Sequence, residues 1–312
     1  EVVPSVGQEK YTTGMQLQKE LDVESDALDD NYTPYQIEFP LDAGCRKKIS
    51  IVCTIEDAYE KDAFATAAAE MARFDALEKK AGYHDELAET LTIAADHFLA
   101  YRQSTGLMTV LAGLPWFTDW GRDTMIALTG LTLATGRYQD ARDILTTFAR
   151  YVHHGMVPNM FPDEGTAPLY NTADASMWYF YAVGKYLDYT GTPEDYAFVQ
   201  ETIYPKLKEI IAAYEHGTDF SIYMEEDGLI HAGSGLDQVT WMDVRVGDWV
   251  ATPRHGKPVE INALWYHALC LMEEWATRFG EDGSHYAALA AHAKESFAKE
   301  FWNEKDECLY DV

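Results

Sequence analysis

Apolar and polar positions along most of the chain follow two alternating helical patterns. From about residue 84, segments with a single apolar stripe are each followed by a loop and then by a segment that is apolar nearly all round. A helix with one apolar face borders water, whereas a helix that is apolar on every side is buried. The alternation therefore predicts an outer layer of helices around an inner layer.

The pattern occurs three times and begins a fourth. Amphipathic helices are predicted at about 84–103, 141–152, 199–214 and 283–303, and apolar helices at about 121–136, 172–191 and 258–280. The first stripe consists of Leu87, Leu91, Ala94 and Phe98. Three loops, 104–120, 155–171 and 218–257, each end where an apolar helix begins, so we expect them to meet at one end of the molecule. The simplest fold is mainly α, an (α/α) toroid of nested hairpins that is incomplete in this chain.

Residues 1–57 have a different pattern from the rest. Segments 35–39 and 48–54 are typical of short apolar strands, and turn residues lie between them. We predict that residues 1–57 are the last strands of an N-terminal β domain. The alanine-rich segment 58–83 is predicted to be a linker helix, and residues 84–312 the first half or more of the toroid. Because the chain begins with Glu1 and stops just after a predicted helix, we expect it to be part of a longer protein.

The net charge of the protein limits the classes of ligand that it can bind. The 312 residues include 52 acidic and 24 basic side chains, which gives a net charge of −28. Phosphate backbones and anionic lipids would be repelled, so we expect no nucleic-acid binding and no membrane binding. A neutral ligand is not repelled, and an aromatic content of 13% supplies rings that can stack on sugars. An acidic surface that simply maintains solubility is the favoured explanation of this charge.

Cysteine and histidine spacing is not typical of a disulfide framework or a metal site. Four cysteines (Cys45, Cys53, Cys270 and Cys308) lie far apart and form no C-x-x-C pair. The sequence contains no H-E-x-x-H, Walker A or dinucleotide-binding fingerprint. We therefore expect no metal and no cofactor, and a reducing, cytoplasmic location.

The first long loop concentrates aromatic and charged side chains at the start of an apolar helix. Its residues 116–123 include Trp116, Asp119, Trp120, Arg122 and Asp123. Rings beside carboxylates and a guanidinium group suit a pyranose, which presents both apolar faces and hydroxyl groups. A structural explanation stays open, because the two aspartates favour the positive end of a helix dipole and the tryptophans can fill a core.

The second loop ends in polar residues at the start of the next apolar helix. Asn171 and Asp174 would face the same end of the molecule as Asp123. Asp174 is also explained as a first-turn acid that follows the N-cap residue Thr172. That structural explanation accounts less well for Asn171.

The third loop is the longest and carries an aspartate with no such structural explanation. Asp243 lies in the middle of the loop beside Trp241. An aspartate packed against an indole keeps its proton to a higher pH, as a general acid requires. Arg254 and Glu260 lie near the end of this loop, where Glu260 is also explained as a helix-start acid after Pro258.

Four segments together resemble a known family. Segments 115–124, 170–178, 240–243 and 258–266 resemble the amylo-α-1,6-glucosidase domain of glycogen debranching enzymes. The resemblance covers roughly residues 84–312, and the strand-like start is similar to the end of the β-sandwich that precedes the barrel in prokaryotic members. It implies a six-hairpin toroid and a glycoside hydrolase that removes α-1,6-linked glucose from branch points of glycogen or limit dextrin with inversion. The implied partner is thus a branched α-glucan.

The resemblance also implies roles for individual residues. It assigns the general acid to Asp243 and places the general base near the C-terminal end of the barrel, beyond residue 312. Because inversion requires two carboxylates, we expect these 312 residues alone to be inactive. The predicted ligands of the terminal glucose are Trp116, Asp119, Trp120, Arg122, Asp123, Asn171, Asp174, Trp241, Arg254 and Glu260.

Two other functions stay open at the level of the sequence. The first keeps the fold and changes the substrate, as in an exo-glucosidase of the glucoamylase or trehalase type. The second is a non-catalytic module that binds glucan. The sequence does not indicate the oligomeric state, the preferred glucan length or the presence of a transferase module.

Overall fold

A computed structural model describes residues 10–22, 27–33, 41–49, 51–52, 54, 57–114, 117–162 and 167–312. The chain divides into two compact units, Glu1–Ala69 and Glu70–Val312. No helix among the described residues is long and apolar enough to cross a membrane.

The first unit contains a β-hairpin that the apolar pattern does not predict. Strand β1 (Lys10–Gln16) pairs antiparallel with β2 (Leu28–Thr33), and the short helix α1 (Gln18–Asp22) lies between them in the chain. A bulge in β1 contains Gly14 at φ 62°, whose N–H donates to Asp30 Oδ1 (2.9 Å). Both strands are largely exposed on both faces, so they lack the apolar alternation by which a strand is recognised in sequence.

The two strands predicted in this unit have different outcomes. Segment 35–39 lies outside the described residues. Within 48–54, the described positions 48, 49, 51, 52 and 54 belong to no strand, so that prediction is wrong for them. An apolar run needs a partner strand in register, and hydrophobicity alone does not supply one. The N-terminal β domain therefore stays a prediction.

The helical part of the chain follows the predicted order closely. Its helices are α2 (Ala63–Ala81), α3 (Glu86–Asp96), α4 (Gly121–Leu128), α5 (Tyr138–Arg150), α6 (Asp174–Tyr189), α7 (Pro193–Phe198), α8 (Tyr204–His216), α9 (Val259–Arg278) and α10 (Ser284–Glu300). Two π-helical segments continue helices, Thr129–Leu133 after α4 and Val199–Ile203 between α7 and α8. A helix at α2 agrees with the predicted linker, although the domain division itself stays a prediction.

The helices of the second unit pack in two layers. Helix α6 packs against both α4 and α9, and these three helices form an inner row. Helices α5 and α10 pack outside this row, against α6 and α9 respectively. The predicted stripe of α5 is confirmed, since Ala141, Ile144, Leu145 and Phe148 are buried in the common core. A mainly helical fold with inner and outer layers is thus confirmed; closure into a toroid stays a prediction.

The first amphipathic helix is shorter than predicted. Helix α3 ends at Asp96, and the chain continues as an antiparallel hairpin of β3 (Leu99–Arg102) and β4 (Leu107–Val110). The predicted stripe is also wrong, because Leu87 and Leu91 are exposed while Thr92, Ala95 and Asp96 are buried. Asp96 belongs to the buried side because its carboxylate accepts hydrogen bonds from Arg73 and Arg137.

Short antiparallel strand pairs connect segments within and between the three long loops. In the first two loops, β5 (Asp119–Trp120) pairs with β6 (Met160–Phe161). The third loop contains β7 (Tyr223–Met224) with β8 (Ile230–His231), and β9 (Arg245–Val246) with β10 (Trp249–Val250). The last pair, β11 (Trp302–Asn303) and β12 (Cys308–Leu309), follows α10. The third loop is therefore ordered, as its many apolar residues require.

Candidate functional site

A pocket of about 300 Å³ lies at the start of α4 and includes the predicted general acid. Its volume is at the lower end of the range of about 300–1,000 Å³ that ligand pockets occupy. It is lined by Ala112, Phe117, Trp120, Arg122, Asp123 and Asp243. An adjoining pocket of about 380 Å³ shares Ala112, Arg122 and Asp123 and has otherwise apolar walls, including Phe98 and Ile126. The first and third loops thus contribute to one pocket, in which Arg122 and Asp243 are 121 positions apart in the chain.

Gly121 sets the position of the α4 start that carries Trp120, Arg122 and Asp123. The Gly121 N–H donates to the Asn159 carbonyl (2.8 Å). A Cβ atom at Gly121 would lie 2.0 Å from the Pro158 carbonyl oxygen, closer than any side chain allows. The absence of a side chain therefore lets the first turn of α4 pack directly on the second loop.

Arg122 forms a two-pronged ion pair with Asp174, the first residue of α6. Its Nε donates to Asp174 Oδ2 (2.6 Å) and its Nη2 donates to Asp174 Oδ1 (3.0 Å). The Thr172 hydroxyl also donates to Asp174 Oδ1 (2.7 Å), and Asp174 is only 1% exposed. Such paired hydrogen bonds are strong and directional. The Asp174 carboxylate therefore accepts its hydrogen bonds from donors of its own chain, and Asp174 is not among the residues that line this pocket.

The same guanidinium group reaches the third loop. Nη2 of Arg122 donates to the Thr240 carbonyl (3.0 Å), and Nη1 donates to Asp243 Oδ2 (3.4 Å). Burial by itself lowers the pKa of Arg122, but the charges and hydrogen bonds of Asp174 and Asp243 outweigh burial and raise it. Arg122 is therefore a permanent cation shared by two carboxylates.

Asp123 has a different environment from its neighbour. Its side chain is exposed, and within the part of the chain that the structure describes it has no hydrogen-bond or ion-pair partner. It lines both pockets. A carboxylate without a protein partner can accept hydrogen bonds from ligand hydroxyl groups.

The interpretation of Asp119 as a glucose ligand requires correction. Asp119 is completely buried, and its carboxylate accepts hydrogen bonds from Arg102 and from the Thr109 hydroxyl (2.9 Å). Its direction is set by β5, where the neighbouring residue Trp120 faces the pocket instead. Successive side chains of a strand point to opposite sides. Asp119 therefore stabilises the fold beneath the site.

Arg254 and Glu260 bind each other, and their role as glucose ligands stays a prediction. Both Nη atoms of Arg254 donate to the Glu260 carboxylate (2.6 and 2.7 Å), and Nε and Nη2 donate to Asp311 (2.9 and 2.7 Å). Arg254 has an unusual left-handed backbone (φ 44°), and its side chain is only 4% exposed. These three residues connect the third loop, the start of α9 and the segment before residue 312, and they do not line the pocket around Asp243.

The remaining predicted ligands are placed as follows. Trp116 lies outside the described residues. Asn171 is half-buried and is absent from the lining of the Asp243 pocket. Trp241 is 55% exposed and precedes Asp243 by two residues. Its role as a glucose ligand stays a prediction.

Some residues of the site are not recognisable from sequence. Ala112 and Phe117 line the pocket, and the Thr240 carbonyl holds Arg122. Phe117 lies within the aromatic segment 116–123, so composition gives a signal for it. Ala112 and a backbone carbonyl carry no such signal, because only their placement makes them part of the site.

Comparison with known proteins identifies the family. A family model described as amylo-alpha-1,6-glucosidase matches residues 93–312, which is more than two thirds of the chain. The chain belongs to the amylo-alpha-1,6-glucosidase family. This confirms the resemblance carried by the four sequence motifs and the prediction of a glycoside hydrolase family.

One curated relative of this amylo-alpha-1,6-glucosidase family chain is the glycogen debranching enzyme of Saccharomyces cerevisiae. It is 30% identical over 244 residues, an alignment that covers 58% of this chain and 16% of the yeast protein. The chain therefore spans about one sixth of the length of that relative.

Two solved structures match part of this chain. A rhamnosidase from Klebsiella oxytoca with bound rhamnose has a TM-score of 0.42 at 13% identity, covering 59% of this chain and 33% of its own. A metal-independent α-mannosidase of Streptococcus pneumoniae in complex with α-1,6-mannobiose has a TM-score of 0.49 at 14% identity, covering 78% and 63%. At these TM-scores neither structure carries an argument about the amylo-alpha-1,6-glucosidase site.

Proposed function

We propose that this protein hydrolyses the bond to α-1,6-linked glucose at branch points of glycogen or limit dextrin, with inversion at the anomeric carbon. The observation that carries the proposal is one pocket that joins Trp120 of β5 and Arg122 and Asp123 of α4 with Asp243 of the third loop. Membership of the amylo-alpha-1,6-glucosidase family supports the substrate class.

Asp243 is the proposed general acid. In hydrolysis with inversion, one carboxylic acid protonates the leaving glycosidic oxygen while a carboxylate about 6.5–9.5 Å away activates water on the opposite face of the sugar. Asp243 is partly exposed at the pocket, so its carboxyl group can reach a bound glycoside. We assign the general base to no described residue.

Trp120 and Asp123 are the proposed ligands of the terminal glucose. The Trp120 ring supplies an apolar surface at the pocket wall, and the Asp123 carboxylate, which has no partner among the described residues, accepts hydrogen bonds from sugar hydroxyl groups. A neutral substrate also suits a protein of net charge −28, since it is not repelled.

The test is glucose release from a branched limit dextrin by the full-length protein, comparing Asp243→Asn with Asp248→Asn. General acid catalysis contributes about 10²- to 10⁴-fold, so we expect a loss of about that size for Asp243→Asn. Asp248 is an exposed acid of the same loop and serves as the control, with a rate close to that of the unmodified protein. An Asp243→Asn variant as active as the control would remove Asp243 from the mechanism.

Two further measurements define the reaction. NMR of the first product should show β-glucose, because inversion of an α bond yields the β anomer. Faster hydrolysis of maltose or trehalose than of α-1,6 bonds would replace the proposed substrate by that of another exo-glucosidase. Glucan binding without turnover would leave only a binding function.

A further inference from the structure

Asp174 is surrounded by donors of its own chain. Its Oδ1 accepts from Arg122 Nη2 and from the Thr172 hydroxyl, and its Oδ2 accepts from Arg122 Nε. Because Asp174 is 1% exposed, a sugar hydroxyl group cannot replace these donors without first opening the ion pair. Binding of glucose therefore does not account for a carboxylate at this position.

Arg122 uses separate parts of its guanidinium group for different elements. The Nε and Nη2 side is held by Asp174 on α6, and Nη2 also binds the carbonyl of Thr240, three residues before Asp243. Nη1 faces Asp243 Oδ2. Because the guanidinium group is planar and rigid, fixing one edge on Asp174 fixes the direction in which the other edge points.

The contact with Arg122 distinguishes the two oxygens of Asp243. Oδ2 faces Nη1, whereas Oδ1 has no hydrogen-bond partner among the described residues. A carboxylic acid that donates its proton to a glycosidic oxygen needs one oxygen turned toward the substrate. The contact with Arg122 leaves Oδ1 for that task.

We infer that Arg122 and Asp174 are positioning residues for Asp243 and do not bind the sugar themselves. Asp174 fixes Arg122, and Arg122 fixes both the third loop and one oxygen of the general acid. The inference rests on the proposed function, since it gives Asp243 the role of proton donor.

Two substrates with different leaving groups test the inference in the full-length protein. Hydrolysis of a branched limit dextrin requires a proton on the departing sugar oxygen. Hydrolysis of α-glucosyl fluoride breaks a C–F bond, forms a C–O bond to water and releases fluoride, which needs far less help from an acid. A residue that acts through the general acid should therefore matter much more for the dextrin.

We expect Arg122→Lys and Asp174→Asn to lower kcat on the dextrin about 10- to 100-fold, as for a reacting group displaced by about 1 Å. KM should stay within about twofold, and the rate on α-glucosyl fluoride within about threefold. Asp119→Asn is the matched control, because it disrupts another buried Asp–Arg pair that does not contact Asp243. It should lower thermal stability and affect the two substrates equally.

Three outcomes would overturn the inference. Equal losses on both substrates, or a raised KM for both, would make Arg122 and Asp174 direct ligands of the glucose. Unchanged kcat on the dextrin in both variants would make the ion pair purely structural. If Asp174→Asn does not fold, the measurements on Arg122→Lys, the milder substitution, are sufficient to test the inference. Failure of the proposed function is separate, because it requires that Asp243→Asn lose no activity on the dextrin.

Discussion

Asp123 and Asp174 occupy the first turns of neighbouring inner helices but have opposite surroundings. Asp174 is buried and paired with Arg122, whereas Asp123 is exposed at the pocket and has no partner in the described part of the chain. Their similar positions in successive repeats indicate similar roles, and only their contacts separate those roles. We therefore propose that the sugar hydroxyl groups bind to Asp123, whose carboxylate has no partner among the described residues.

At the residue scale, we predict that Asp123→Asn weakens substrate binding without lowering stability. Hydrogen bonds to a charged group contribute about 1.5–3 kcal/mol, so KM for limit dextrin should rise about tenfold or more, since about 1.4 kcal/mol corresponds to tenfold. Thermal unfolding should occur at the unchanged temperature, because no contact among the described residues is lost. An unchanged KM would show that Asp123 does not touch the substrate.

Helix α4 is the element on which the site depends most. Its first turn carries Arg122 and Asp123, and its first residue, Gly121, packs directly against the carbonyl of Pro158. The helix thus takes its position from the second loop rather than from a side-chain cap, since Trp120 provides none. Displacement of this helix start would move the pocket wall and the Arg122–Asp174 pair together.

At the element scale, we predict that Gly121→Ala destabilises the protein and lowers its activity. The new Cβ would meet the Pro158 carbonyl at 2.0 Å, and overpacking of this kind costs about 1–3 kcal/mol. Gly130→Ala is the control, because a Cβ atom added to that glycine would have nothing within 4 Å and the residue lies in a helical segment. Chemical denaturation should show a loss for Gly121→Ala and no loss for Gly130→Ala; equal effects would contradict the packing argument.

At the scale of the whole molecule, stability depends on charge pairs that connect distant helices. Asp96 of α3 binds Arg73 of α2 and Arg137, which precedes α5. The hydrogen bond from Arg73 holds the pKa of Asp96 below its ordinary value of 3.8, and Arg137 acts in the same direction against the opposing effect of burial. A carboxyl group whose pKa is lower in the folded state stabilises that state above its unfolded pKa.

We therefore predict a pH-dependent effect of Asp96→Asn. At pH 7 the variant should lose about 1.5–3 kcal/mol of unfolding free energy, the value of hydrogen bonds to a charged group. The difference from the unmodified protein should shrink as the pH falls below the ordinary pKa of 3.8, where the unfolded chain begins to bind the proton, and it should disappear below the lowered pKa of the folded state. Urea denaturation across the acid range measures this, and a difference that stays constant with pH would contradict it.

The spacing of residues within short segments was sufficient to predict the buried face of a helix and the family of this protein. The 3.6-residue periodicity of α5, with Ile144, Leu145 and Phe148 on one stripe, located a buried face correctly because that face depends only on neighbouring turns. The motifs at 115–124 and 240–243 identified the family, and they include the residues that line the pocket with Asp243. Both signals are contained in short segments.

Tertiary structure alone decided which charges are available to a substrate. An arginine forms an ion pair with each of three predicted ligands, Asp119, Asp174 and Glu260. In the sequence, each of these acids lies close to other residues typical of a sugar-binding site. The partner of Asp174 lies 52 positions away and the partner of Asp119 lies 17 away. No local pattern therefore distinguishes these carboxylates from Asp123, which has no partner in the described ranges. Ion pairing depends on the distance between two side chains in space, and sequence spacing does not give that distance. For this reason the predicted set of glucose ligands had to be corrected, whereas most of the predicted helices did not.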